Sequence, residues 1–255
     1  MDKRVAILDN KYYQSASVFL PENLLREARR QKNIGQGDVP SICVLDPDGD
    51  LADYLIGQGL AEKSKCWACY HSSLYQFELN GTPLGIVPCI VGASYAVLVA
   101  EQLFVSGCRL LISVTSAGII NEPYNPKRFA LITEAVRDEG TSYHYIPAGE
   151  ISAISPGLYR KLASLDQDIW FDAKSWTTDA PYRETAEAIN AMQSEDVTCV
   201  EMEAAALYAL GIAKQRDIVC FAHLTNTMAQ QEGDFEKGEH FGSIDTLALI
   251  KKIIL

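Results

Sequence analysis

The chain alternates short apolar runs with helical stretches, and this alternation restricts the fold more than any other feature of the sequence. The runs are rich in β-branched residues and end in turn-forming residues, as strands do. The predicted strands cover residues 41–45, 84–91, 109–114, 129–133, 197–200 and 218–224. Strands that alternate with helices favour a sheet covered by helices on both faces. The sequence therefore predicts an α/β fold: a three-layer α/β/α single domain with a mixed, largely parallel central sheet.

One domain is predicted to take up the whole chain, residues 1–255, because 255 residues, 48% of them hydrophobic, suffice for one full core. Residues 1–40 are predicted to be an N-terminal extension packed on this domain. Within it, residues 5–8 are predicted to form a strand. A helix is predicted to start at Pro21, because proline suits a first turn and apolar residues follow at helical spacing.

The overall charge limits the class of partner. The formal net charge of −11 disfavours nucleic acid, which is bound through basic surfaces, and favours a small metabolite. The seven cysteines are odd in number and scattered, so a reduced cytoplasmic location is expected. No apolar run reaches the ~18–20 residues that span a bilayer, so no membrane partner is expected.

Two cysteines and an acidic turn suggest metal sites, and neither is supported. Cys66 and Cys69 lack a second Cys/His pair at zinc spacing, and buried free cysteine commonly acts as a small hydrophobic residue. The acidic run 46–50 resembles the start of a calcium loop but lacks the later glutamate. We expect no metal.

Two acids lie where a predicted strand turns into an alanine-rich helix. Glu201 and Glu203 stand at this turn, before a run of strong helix formers. Carboxylates in a first helical turn are stabilised by the helix dipole by ~0.3–1 kcal/mol each, which is a sufficient structural reason for them. A carboxylate also accepts up to about four hydrogen bonds and suits two adjacent hydroxyls, such as those of ribose. Both interpretations fit the pattern.

The segment 201–206, Glu-Met-Glu-Ala-Ala-Ala, resembles the ribose-binding signature of the nucleoside phosphorylase superfamily, which includes uridine phosphorylases, hexameric purine nucleoside phosphorylases and nucleosidases. Further segments follow one another with the family's spacings, namely 92–94, 101–103, 107, 116–118 and 138–145. The resemblance implies the family's fold and cleavage of a ribosyl N-glycosidic bond in a nucleoside. It places Glu203, Met202 and Glu201 in the ribose site, with Glu203 on the diol and Met202 under the sugar.

The resemblance also implies a site for the nucleophile. It assigns Gly92, Ser94, Thr115 and Ser116 to this site, where a strand, a glycine turn and a helix offer backbone N–H groups to an anion. An ordinary strand-to-helix connection would need the glycine as well. Inorganic phosphate is the family's usual co-substrate and no other cofactor is implied.

The residues that grip phosphate in relatives are absent from this chain. The two positions of the usual arginines carry Gly49 and Ser113, so bidentate pairing with phosphate is lost. Phosphate stays the default nucleophile of the family. Water is the alternative, with Asp46, Asp48 or Glu101 as the candidate base. A second alternative is a protein that binds a nucleoside without cleaving it.

The resemblance gives less information about the residues that contact the base than about those that contact the ribose. Tyr182 and Arg183 stand where relatives line the base pocket, although the same segment also reads as a capped loop before a helix. Asn226 stands where purine-cleaving relatives carry the aspartate that protonates the base. Asn226 still forms hydrogen bonds, and Asp234 or Glu232 is the candidate acid if their loop covers the site. Because relatives complete their sites across subunit interfaces, a homo-oligomer is expected, either a dimer or a hexamer built as a trimer of dimers.

Overall fold

The computed structural model describes residues 5–122, 129–228 and 232–254, and in these ranges ten strands form one sheet. The strands are β1 (Ile42–Asp46), β2 (Ala61–Lys63), β3 (Tyr75–Leu79), β4 (Thr82–Pro88), β5 (Leu110–Ile119), β6 (Phe129–Asp138), β7 (Ile151–Ala153), β8 (Trp170–Thr178), β9 (Cys199–Glu201) and β10 (Asp217–Asn226). The helices are α1 (Pro21–Lys32), α2 (Asp50–Gly57), α3 (Ala93–Val105), α4 (Pro156–Ala163), α5 (Ala186–Ser194), α6 (Ala204–Lys214) and α7 (Ser243–Ile253). The predicted α/β architecture is confirmed.

The sheet runs in the order β10-β6-β8-β9-β5-β1-β4-β3-β2, and β10 also pairs with β5. This extra pairing joins β5, β10, β6, β8 and β9 into a ring, and β1 to β4 extend from it as an open sheet. Five pairings are parallel and five are antiparallel, so the parallel share is lower than predicted. The ring places the ends of β1, β8 and β9 around the middle of β5.

Two groups of helices cover the sheet. α1, α3 and α6 pack together, and α2 packs against α7. Residues 204–210 of α6 are all buried, as expected for a helix that is apolar on every side. The alanines in this run leave room for close packing. The start of α6 is therefore fixed in position by the core, and so is the acidic turn before it.

The N-terminal segment differs in part from the prediction. Residues 5–8 form turns and no strand, so the predicted strand there is wrong. The local sequence offers few apolar neighbours, and no described strand pairs with it. The helix predicted from Pro21 is confirmed as α1, whose Leu25 and Ala28 pack against Ala68.

Two segments outside the predicted strands, residues 115–118 and 176–178, prove to be parts of strands. Residues 115–118 continue β5, because Gly118 pairs with Val200 of β9 and this pairing extends the strand. Residues 176–178 end β8, and the predicted cap does not form at Asp179, whose carboxylate accepts the Gly140 N–H at 2.8 Å. Thr185 caps α5 by accepting the N–H of Ala188. In the described residues, no helix is long and apolar enough to cross a membrane.

Candidate active site

A cleft of about 360 Å³ opens where β1, β8, β9 and β10 end beside the middle of β5. The sequence-predicted residues that line it are Glu201, Met202, Glu203, Thr115, Ser116, Tyr182 and Asn226. Side chains from the ends of several strands converge here, as they do at ligand sites of α/β proteins. The structure thus brings together most of the residues that the sequence predicted for one site.

Glu203 is the most buried acid of the cleft, with 1% of its surface exposed. Its Oε1 accepts the Gly92 N–H at 2.7 Å, whereas Oε2 is buried without a hydrogen bond of normal geometry to a described residue. Burial, and then the neighbouring charge of Glu201, raise the pKa of Glu203 to about 8, although the nearby Thr115 hydroxyl opposes the shift. A buried carboxyl with an unused oxygen suits a ligand that brings hydroxyl groups.

Glu201 is also buried, but its oxygens are already used. Oε1 accepts the hydroxyls of Ser175, at 3.0 Å, and of Thr177. Oε2 accepts the N–H groups of Glu203 and Ala204, both at 2.7 Å, and so caps the start of α6. Burial raises the pKa of Glu201, and these four donors act against that shift. The structure therefore gives Glu201 the structural role of holding the turn that presents Glu203, although the resemblance had placed it on the ribose.

The wall beside Glu203 is apolar. Met202, Val200 and Val91 line the cleft next to it, and Met202 is partly exposed. A flat, partly apolar surface beside a hydrogen-bonding carboxyl fits the two faces of a sugar ring. Met202 thus lies in the cleft lining with Glu203, and its position under the sugar stays a prediction.

The Ser116 hydroxyl donates a hydrogen bond to the carboxylate of Asp48. The same carboxylate lies 3.0 Å from the ammonium of Lys237, which also contacts Asp50 at 2.5 Å. Burial alone would lower the pKa of Lys237, but the Asp50 and Asp48 carboxylates outweigh it and raise the pKa. Thus an internal anion, Asp48, already occupies the two groups best suited to bind an external one.

The sequence did not predict Lys237. It lies 187 residues from its partner Asp50, and pairing over such a distance leaves no local pattern. In the sequence, the loop that carries Lys237 was considered only for its acids, Asp234 and Glu232. Gly233 and Gly238 lie on either side of the segment 234–237, and both have positive φ, of 82° and 92°. These two glycines are the local sequence feature that indicates a loop with a defined backbone shape.

Two of the predicted nucleophile contacts are not present in the cleft. The Gly92 N–H is used by Glu203, and the φ of +93° at this glycine fits the turn that delivers it. Ser94 is exposed on the first turn of α3 and is not among the described residues that line the cleft. Thr115 and Ser116 do line it.

The three candidate bases, Asp48, Asp46 and Glu101, lie in different parts of the structure. Asp48 lines the cleft. Asp46 is 6% exposed and accepts the N–H groups of Ala52, at 2.9 Å, and Gly49, at 3.2 Å, so it shapes the turn after β1. Burial raises the pKa of Asp46 to about 7. Glu101 lies on α3, where it accepts the hydroxyl of Tyr145 at 2.8 Å outside the cleft.

The base end carries an acid that the sequence pointed to only as part of a loop. Tyr182, Met228 and Phe235 line this part of the cleft together with Glu184. Glu184 is half-buried, and burial raises its pKa to about 7. The exposed Arg183 is not among the described lining residues. Tyr182 thus lies at the cleft, although its side chain is fully exposed, and its contact with a base stays a prediction.

The two predicted candidates for addressing the base have local partners. Asn226 lines the cleft, but its Oδ1 accepts the Met228 N–H at 2.9 Å and its amide donates to the Thr225 hydroxyl at 3.1 Å. Asp234 accepts the N–H of Thr227 at 3.0 Å and its hydroxyl at 2.8 Å. The Asp234 side chain is not among the described lining residues of the cleft.

The cleft is acidic as a whole. Four carboxyl side chains line it, and none of the described lining residues is Lys, Arg or His. The four are Asp48, Glu184, Glu201 and Glu203. Such a lining favours a neutral or cationic ligand and disfavours a phosphorylated one. In the described part of the chain, no group of three or more His, Cys, Asp or Glu side chains is arranged to hold a metal ion.

A family model described as the phosphorylase superfamily matches residues 41–251. Uridine phosphorylase from Vibrio fischeri ES114, complexed with 6-hydroxy-1-naphthoic acid, has a similar structure, with a TM-score of 0.68 at 18% identity over 85% of this chain and 90% of that chain. Purine nucleoside phosphorylase from Toxoplasma gondii, in complex with immucillin-H, gives a TM-score of 0.70 at 15% identity over 85% and 90%. No curated protein matches the sequence. At these identities the solved structures establish a shared fold.

Proposed function

Because the chain belongs to the phosphorylase superfamily, we propose that it cleaves the N-glycosidic bond of a (deoxy)ribonucleoside, with water as the nucleophile. The family's usual nucleophile is phosphate, and the chemistry at the sugar is the same in both cases. The observation that supports water is the contact of Asp48 with Ser116 and Lys237.

The sugar would bind at Glu203. Its Oε2 is buried without a hydrogen bond of normal geometry to a described residue, and Glu203 and Met202 both line the cleft. In the transition state the sugar carries positive charge, which nearby carboxyl oxygens stabilise. With its pKa raised to about 8, Glu203 holds a proton at neutral pH in the free protein. It can therefore donate to one ribose hydroxyl and accept from the other.

Asp48 would take the proton of the attacking water. A carboxylate has about four acceptor positions, and Ser116 and Lys237 occupy two of those on Asp48. The remaining positions can accept a hydrogen bond from a water molecule in the cleft. The ion pair with Lys237 and the bond from Ser116 fix the orientation of the carboxylate, which a general base requires.

The cleft offers few groups that could bind phosphate. An anion entering the cleft would meet no Lys, Arg or His among the described lining residues, and it would have to displace the Asp48 carboxylate from its two donors. The Gly92 N–H is engaged by Glu203 and adds nothing. These contacts favour hydrolysis over phosphorolysis on electrostatic grounds.

The test is product analysis with a panel of purine and pyrimidine nucleosides in the presence and absence of phosphate. We expect free ribose or deoxyribose, at a rate that does not depend on phosphate. Ribose 1-phosphate formed only with phosphate would establish phosphorolysis instead. Stabilisation against heat by a nucleoside, with no product in either buffer, would identify a binding protein.

A further inference from the structure

We propose that Glu184 is a further catalytic residue, the acid that gives a proton to the departing base. This inference rests on the proposed cleavage of a nucleoside. It concerns the leaving group, whereas the proposed function concerns the nucleophile.

The departing base needs a proton source. When the glycosidic bond breaks, its electron pair stays on the base nitrogen, and a neutral product forms only if an acid protonates the base. Asn226 has no acidic proton, and its amide is bonded to Thr225 and Met228. Asp234 accepts two donors of Thr227 and is not among the described residues that line the cleft. The residues predicted for this task therefore do not provide an acid inside the cleft.

Glu184 lies on the correct side of the sugar site. The neighbouring strands β8, β9, β5 and β1 carry Glu184, Glu203, Ser116 and Asp48 in the same order, on the strands themselves or on the connections after them. All three acids, Asp48, Glu203 and Glu184, line the same cleft. In this strand order Glu203 comes between Asp48 and Glu184. In-line displacement needs this order, with the sugar between the base and the acid.

The surroundings of Glu184 keep a proton on it. Its side chain forms no hydrogen bond or ion pair with a described residue, and Tyr182, Met228 and Phe235 line the same end of the cleft. Burial without a cationic partner favours the neutral carboxyl, and the pKa of about 7 follows from that burial. The rings of Tyr182 and Phe235, which are exposed, are available to stack on a planar base.

The proposed step is balanced. The bond from the sugar carbon to the base nitrogen breaks, and the base takes the electron pair and the proton of Glu184. Water forms the new bond to the sugar carbon and loses a proton to Asp48. The products are the free sugar and the neutral base. Asp48 then releases its proton to solvent and Glu184 regains one, so the enzyme returns to its starting state.

The experiment compares Glu184→Gln with the wild type on two substrates. One is the best nucleoside of the panel, and the other is p-nitrophenyl β-D-ribofuranoside, whose nitrophenolate leaves without a proton. We expect kcat for the nucleoside to fall by ~10²–10⁴-fold, the usual contribution of a general acid, and kcat for the riboside to change by less than about threefold. Glu187→Gln, an exposed acid three residues further on, is the matched control and should leave both rates unchanged.

The pH dependence is a second readout. The wild-type rate on the nucleoside should fall above about pH 7, where Glu184 loses its proton. Glu203, whose pKa is about 8, adds a second decline at higher pH in the wild type and in the variants. Glu184→Gln should lack the decline near pH 7 and keep the later one, and Glu184→Asp should restore part of the rate. Equal losses on both substrates, or an unchanged rate on the nucleoside, would overturn the proposal. Ribose 1-phosphate as product would overturn hydrolysis and leave the Glu184 comparison valid, whereas a wild type inactive on both substrates would overturn both proposals.

Discussion

The two ends of the cleft use the same side-chain chemistry in opposite ways. At the nucleophile end, Asp48 contacts the ammonium of Lys237 and the hydroxyl of Ser116. At the base end, Glu184 is half-buried and has no ionic partner among the described residues. The contacts of Asp48 orient its carboxylate, whereas burial without a cation favours the neutral form of Glu184. In the proposed mechanism these surroundings make one acid the base and the other the proton donor.

The largest effect is expected at the nucleophile end. Asp48→Asn should lower kcat for hydrolysis by ~10²–10⁴-fold, the range for loss of a general base. The asparagine keeps the shape and leaves Ser116 and Lys237 available to an external anion. Phosphate or formate added to the variant should then restore part of the rate. Glu62→Gln, on the exposed surface of β2, makes the same change of charge as a control.

A wild-type rate in Asp48→Asn, with Glu62→Gln also unchanged, would remove the proposed difference between the two ends. The base would then have to be found elsewhere in the cleft.

A second contrast lies within the acidic turn, where Glu201 and Glu203 differ in role. Glu201→Gln places an amide among four donors, so it should lower the free energy of unfolding by ~2–4 kcal/mol, through lost bonds to a buried charged acceptor. Urea denaturation measures this loss. If Glu201→Gln is as stable as the wild type, its hydrogen bonds do not hold the turn.

Glu203→Gln should instead act on binding. We expect kcat/KM to fall by ~10–100-fold, which corresponds to one or two lost hydrogen bonds to the sugar, while the stability against urea at neutral pH does not fall below that of the wild type. A variant as active as the wild type would remove Glu203 from the sugar site.

Glu203 also predicts a pH dependence of stability. Its folded-state pKa of about 8 lies above the ordinary glutamate pKa of 4.5, so the folded protein binds the proton more tightly than the unfolded chain does. Its contribution to stability is therefore fully present at low pH and decreases as the pH rises from about 4.5 to 8. The melting temperature of the wild type should fall relative to that of Glu203→Gln over this range. Parallel curves for the two proteins would contradict the raised pKa.

The smallest effect is expected for Lys237→Met. Removing the ammonium leaves Asp48 and Asp50 without their shared cation, and we expect a loss of about 1 kcal/mol of stability. The decrease should shrink at high salt, which screens the repulsion between the two acids. Lys63→Met, at an exposed position of β2, is the matched control.

The sequence predicted the parts of the molecule that local pattern determines. The strand-to-helix turn at Glu203 follows from a β-run and an alanine run, and the structure has β9 and α6 there. The sequence could not predict roles that depend on contacts between residues far apart in the chain. Glu201 and Glu203 share one turn, and only the approach of Thr177 from β8 shows that Glu201 is occupied. The local sequence around Glu184 predicts only a loop, and it does not show that this side chain is half-buried at the cleft. The homo-oligomer stays a prediction.

The hydrogen bond from Gly92 to Glu203 joins residues that are 111 positions apart in sequence. The sugar-holding carboxyl is therefore set in place by a backbone group from the other half of the chain. Neither half alone contains a complete site, so a fragment ending between α4 and α5 should be inert until its complement docks. Recovered catalysis after dilution from denaturant would consequently report the joining of the two halves, later than any signal from helix formation.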